Sequence, residues 1–150
     1  MHLGRNVQLA IAAAFASFAL AACGKKEDAA AKPQAAPVAD PAEGPADIPV
    51  PELVSSTDVG AGEKLFASKG CSACHKVGGG KLVGPDLQGV TARRKTKWLA
   101  RMILHPDQML QKDTTARELL KVHMTPMPPQ NVNPDTELPA LLAFLKAHET

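Results

Sequence analysis

Apolar positions fall into three regimes along the 150-residue chain. From Leu9 to Ala22 they run almost without interruption. From Gly24 to Ser56 they are sparse and broken by proline, and from Thr57 onwards they recur at helical spacing. Asp58 to Lys69 predicts a helix with Val59, Leu65 and Phe66 on one side. Cys71 to Val90 carries Gly78-Gly79-Gly80 and Gly84-Pro85, which predict a loop. Thr96 to Leu104 predicts a second helix, stopped by His105-Pro106. Asp113 to Val122 predicts a third, with Leu119 and Leu120 as its apolar positions. Met124 to Pro129 holds three prolines and is excluded from helix. A last helix reaches about His148, with Leu138, Leu141, Leu142 and Leu145 as a broad stripe. Pro139 is tolerated there if Thr136 is the N-cap, because the first turn has no use for its missing N–H. No segment alternates with period two, so the expected fold class is all-α, with about four to five helices.

Composition sharpens this picture in two ways. Beyond residue 20 the only aromatics are Phe66, Phe144 and Trp98, little bulk for a domain of this size. A large embedded cofactor would resolve that deficit. The formal charge of +2 is too mild to argue for nucleic acid, but it is uneven. Residues 57–150 hold thirteen Lys/Arg against nine Asp/Glu, and residues 23–56 hold three against six.

Residues 1–22 read as an export signal, because the apolar run from Leu9 to Ala22 has the length of a signal's apolar region and is short for a membrane span. Its end, Leu20-Ala21-Ala22-Cys23, resembles the lipobox of bacterial lipoproteins. That resemblance implies cleavage before Cys23 and lipidation of Cys23. It also implies anchoring on the periplasmic side of a bacterial membrane, with Gly24 leaning towards the outer membrane. Acylation at two points matters, since one chain binds a membrane only marginally. Residues 23–56 then read as a disordered tether. Its 33 residues after the cysteine would span roughly 30 Å as a coil and up to about 100 Å extended. The folded domain is expected over residues 57–150.

Within that domain the pentapeptide Cys71-Ser72-Ala73-Cys74-His75 carries the chemistry. A zinc site needs four ligands, and no second Cys pair exists. A thioredoxin-like centre needs a strand–helix setting, and no strand is visible. A disulfide is possible after export but gives His75 no role. Covalent haem attachment explains all five positions: two thiols add to the porphyrin vinyl groups, and the adjacent histidine lies beneath the iron.

Beyond the pentapeptide, four separated features make residues 57–150 resemble a class I cytochrome c domain. They are Gly62-Glu63-Lys64-Leu65-Phe66, Leu141-Leu142-Ala143-Phe144-Leu145, Gly84-Pro85-Asp86-Leu87 and Met124-Thr125-Pro126-Met127-Pro128-Pro129. The resemblance implies one haem c bound through Cys71 and Cys74, with His75 as proximal iron ligand. It implies that Gly62 lets the last helix cross closely over Phe66, and that the Pro85 carbonyl accepts a hydrogen bond from His75. Met127 is the implied distal ligand, with Met124 and His123 as alternatives. Trp98, Arg93 and Arg94 are candidate contacts of the haem propionates, while Met102 and Met109 are expected in the core.

That set of ligands implies a one-electron carrier rather than an enzyme. The expected partners are redox proteins: a quinol-oxidising complex or other donor, and a terminal oxidase or periplasmic reductase as acceptor. Lys76, Lys81, Lys95 and Lys97 are candidates for a basic rim that steers an acidic partner. The competing expectation is a haem enzyme or a gas or redox sensor with a displaceable sixth ligand.

Overall fold

A computed structural model describes residues 43–150. The expectations for residues 1–22, for Cys23 and for the tether up to residue 42 lie outside the described residues. The described part is all-helical. Six helices run in the order α1 (Val59–Ser68), α2 (Val90–Arg93), α3 (Thr96–Leu104), α4 (Pro106–Lys112), α5 (Thr114–His123) and α6 (Leu138–Ala147), with a single 3₁₀ turn at Cys71–Ala73. None of these helices is long and apolar enough to cross a membrane.

Helix ends follow the capping residues. Asp58 caps α1 by accepting from the Ala61 N–H at 2.8 Å, and Gly70 closes its far end in the left-handed region at φ 77°. Asp113 caps α5, accepting from the Ala116 N–H at 2.8 Å. The last helix is capped differently from the expectation, with Glu137 and not Thr136 at the N-cap. The turn before it is organised by Asn133, whose side chain accepts from the N–H groups of Asp135 and Thr136 and whose carbonyl accepts from those of Glu137 and Leu138. Pro139 still falls in the first turn, where its missing N–H costs nothing.

Two helices were not expected. His105-Pro106 does end α3, but the chain restarts as α4 in the next residue, because proline's fixed φ suits the first helical position. Seven residues are too few for a clear period, yet Pro106 and Met109 are fully buried. The four residues of α2 begin after Gly89, which has φ 65°.

The core is built on the crossing of α1 and α6. A Cβ on Gly62 would lie 2.1 Å from the Ala140 carbonyl oxygen and 2.6 Å from the Phe144 Cβ, so only glycine permits this approach. Phe66 and Phe144 stack across it with ring centroids 5.2 Å apart. Both features are those expected from the sequence.

The start of the folded part differs from the expected boundary at residue 57. Ile48 is fully buried in the core, and Val50 and Leu53 pack against it. The buried Arg101 donates its Nε–H to the Ile48 carbonyl at 2.8 Å and a further N–H to the Glu43 carbonyl. Lys97 pairs with Glu43 at 3.0 Å, and Lys112 with Asp47 at 2.7 Å. Residues 43–54 are therefore a strap on α3 and α4. A buried isoleucine and an arginine with backbone partners offset the ordering entropy that proline and charge suggested would prevail.

Candidate functional site

Between the 3₁₀ turn, the loop after it and helices α3, α5 and α6 lies a cavity of about 380 Å³. Its walls include Cys71, Cys74, His75, Pro85, His123 and Met127 amid Phe66, Leu99, Leu141 and Leu145. The sequence-predicted residues thus converge on one space. Met124 does not join them. It occupies the C-terminal end of α5 in the left-handed region at φ 57° and is 82% exposed. The same turn lets the chain double back, so that Met127 three residues later reaches the cavity wall.

The thiol side is set by local geometry. Gly70 turns the chain out of α1, and the 3₁₀ turn places two free thiols, Cys71 and Cys74, on the cavity. Burial raises the pKa of the Cys71 thiol, keeping it protonated at neutral pH. Among the described residues no group of three or more His, Cys, Asp or Glu side chains converges as a metal site, so the pentapeptide has no partners for zinc.

His75 is held from three directions. Its Nδ1 donates to the Pro85 carbonyl at 2.9 Å, which fixes the tautomer and leaves Nε2 with its lone pair. Backbone bonds bracket this contact, from Gly84 N–H to Cys74 O and from Leu87 N–H to Lys76 O, each 2.8 Å. Gly84 is obligatory: a Cβ there would lie 2.6 Å from His75 Cε1 and 2.9 Å from Nδ1. The imidazole ring lies close against that backbone.

His123 shares the cavity wall and has its Nδ1 3.3 Å from the Val83 carbonyl. Burial lowers its pKa and the Lys81 charge pushes the same way, against the bond to the Val83 carbonyl.

The candidate propionate contacts fare differently. Trp98 lines the cavity, but its indole N–H is donated to Asp113 Oδ1 at 3.2 Å, in place of the propionate contact expected from the sequence. Asp113 is buried and needs donors, and Trp98 is within reach on α3. Arg93 donates to the Gln88 carbonyl at 2.6 Å and the Asp86 carbonyl at 3.1 Å, serving the loop. The buried Arg94 lies over the Trp98 ring with its guanidinium carbon 5.2 Å from the centroid. Asp113 and Asp86 are structural centres that pattern reading missed. Their signals were there: an acidic residue before a helical run, and one just after a Gly-Pro turn and a glycine run.

The residues present fit a haem covalently bound through the two thiols. Donors of the right kind share one largely apolar space of about 380 Å³, whose lining such a group would cover.

Comparison with known proteins agrees. Residues 59–149 match the family model described as cytochrome c. The chain is similar to the solved structure of a cytochrome c from Rhodothermus marinus, with 26% identity and a TM-score of 0.59 over 71% of this chain and 90% of that one. An engineered form of the same cytochrome gives 25% identity and a TM-score of 0.58 over 71% and 91%. The cytochrome c domain of a Pseudomonas putida protein is 38% identical with a TM-score of 0.51, over 57% of this chain and 85% of that one.

Proposed function

The chain belongs to the cytochrome c family, whose members bind covalent haem c and carry electrons, and we propose that it does so as a lipid-tethered carrier on the periplasmic side of a bacterial membrane. The observation that supports this most is the convergence of Cys71, Cys74, His75 and Met127 on one apolar cavity. Haem c held there supplies a single-electron iron couple.

The residues' parts in this reading are distinct. Cys71 and Cys74 would form the thioether bonds and fix the plane of the group. His75, locked by Pro85, would ligate from one side through Nε2. Met127 would ligate from the other through its neutral thioether, which favours the reduced state and leaves no open position for a substrate. Leu99, Leu141 and Leu145 on the cavity wall would keep water from the group, and holding His75 and Met127 in place would keep the structural change on redox small. Met127 lines the cavity, as His123 does, while Met124 points to solvent, which supports Met127 over Met124 for the distal role.

The exchange surface we assign to partners is the rim where two segments meet. Leu82, Val83, Val122 and Met124 are large and exposed there, and Lys81 Nζ joins the segments by donating to the Val122 carbonyl at 3.3 Å. Lys76 is also exposed near this rim in sequence. Lys97, a candidate for the rim in the sequence, is engaged with the strap through Glu43. An apolar patch with basic neighbours suits redox proteins with acidic surfaces, such as a quinol-oxidising complex as donor and a terminal oxidase or periplasmic reductase as acceptor. Lipidation of Cys23, on a segment ahead of the domain, would let the domain reach partners while held at the membrane.

The optical spectrum of the purified protein tests this reading. A six-coordinate c-type spectrum with the far-red methionine–iron band is expected, with no rapid binding of cyanide or carbon monoxide. Met127→Ala should abolish that band and open the iron to both ligands, while Met124→Ala should leave it intact. A parent protein that binds carbon monoxide readily would favour a haem enzyme or sensor instead. A colourless protein would exclude every haem reading.

A further inference from the structure

We propose that Asp86 is the positioning residue for His75: its carboxylate holds the loop that presents the Pro85 carbonyl. The inference rests on the reading of His75 as an iron ligand and goes beyond it. Asp86 is next to Pro85 in the chain but does not touch His75. Its Oδ1 accepts from the Gly78 N–H and the Gln88 N–H, both at 2.8 Å, and its Oδ2 accepts from the Gly80 N–H at 2.6 Å. One carboxylate thus gathers three backbone N–H groups, two from the glycine run and one from beyond the Gly-Pro turn.

That run is otherwise weakly held. Gly78, Gly79 and Gly80 all lie in the left-handed region, at φ 85°, 89° and 87°, where glycine loses the most freedom on ordering. Hydrogen bonds to a charged acceptor are about twice as strong as neutral ones and suit this task. The Asp86 main chain is fixed as well, because Arg93 donates to its carbonyl at 3.1 Å. With the side chain tied to residues 78, 80 and 88, and the main chain tied to Arg93, the Pro85 carbonyl has one direction in which to point. It meets the His75 Nδ1–H at 2.9 Å. The strength of that bond sets how much electron density the imidazole donates through Nε2. Asp86 therefore acts on the iron through two intermediaries, the proline carbonyl and the histidine ring.

The test uses the haem-loaded, reduced protein and its Asp86→Asn and Asp86→Glu variants. Amide and ring N–H exchange are followed by nuclear magnetic resonance, and the reduction potential is measured alongside. In Asp86→Asn, the exchange of the Gly78 and Gly80 amides and of the His75 Nδ1–H should quicken at least tenfold, amides of α6 should keep their rates, and the potential should rise. Asp86→Glu, which keeps the charge, should restore part of the His75 protection. Unchanged His75 Nδ1–H exchange in Asp86→Asn would overturn the proposal even if the glycine amides open, since a purely structural carboxylate gives that pattern. A potential that rises with no change at the His75 proton likewise overturns it, reducing Asp86 to a distant charge. The ring carbons of His75 report ligation separately, through the large ring-current shifts of an axial ligand. Their absence in the parent would overturn the ligand reading and this proposal together.

Discussion

Gly84, Pro85 and Asp86 are three successive residues with three separate tasks. Gly84 makes room for the His75 ring, Pro85 supplies its acceptor, and Asp86 ties the neighbouring loop. Asp86 also gives the domain an acid sensitivity. Its partial burial pushes its pKa up, but the N–H groups of Gln88, Gly78 and Gly80 and the charge of Arg93 outweigh this, and the net shift is downward. A carboxyl whose folded pKa lies below its unfolded value of about 3.9 stabilises the fold above that value. The contribution is lost as pH falls through the folded pKa. Thermal unfolding followed from about pH 6 to about pH 2 should therefore show a shallower acid decline in Asp86→Asn than in the parent, over the range set by this group. Parallel curves would contradict it. Glu137 shifts the same way, through its bond from the Asn133 N–H and its pairing with Lys69 at 2.7 Å, and remains to set the residual slope. At this scale the residue types were legible and their partners were not. Sequence marks Pro85 and His75 as a pair by motif, but nothing in it says that Asp86 folds back on Gly78 or that Trp98 spends its N–H on Asp113.

Among the elements, α1 and α6 were legible because each carries a full apolar stripe, and their crossing was marked by one glycine and two phenylalanines. Gly62→Ala should be among the most damaging small substitutions in the protein. The new methyl would meet a backbone carbonyl at 2.1 Å, which cannot rotate aside, so the helices must separate. Loss of about 1–3 kcal/mol, and more if Phe66 and Phe144 lose their contact, is expected in chemical denaturation. An unchanged midpoint would show that the crossing is looser than the geometry implies. Helices α2 and α4 escaped pattern reading for a different reason. They are four and seven residues long and lean on tertiary contacts, Met109 above all, with little intrinsic tendency to form.

For the molecule as a whole, the boundary between tether and domain is the largest revision. The strap of residues 43–54 belongs to the fold. Ile48→Ala should cost about 2–5 kcal/mol, as for other buried large-to-small changes, and a thermal melt that matched the parent would return the strap to the tether. Substituting Lys97 or Lys112 should matter far less, because these pairs are exposed and such bridges contribute about 0–1 kcal/mol. By itself, the sequence determined the helical class, the thiol–histidine pentapeptide, the histidine–proline pair and the glycine at the helix crossing. Each is written in local spacing or in a residue type that only one geometry tolerates. Tertiary structure decided which methionine reaches the cavity, where Trp98 and Asp86 find their partners, and where the domain begins. Those outcomes depend on contacts between positions distant in the chain, where burial and hydrogen-bond satisfaction override local propensity. Ile48 shows this plainly: among prolines and charges it reads as tether, and only the surface of α3 makes it core.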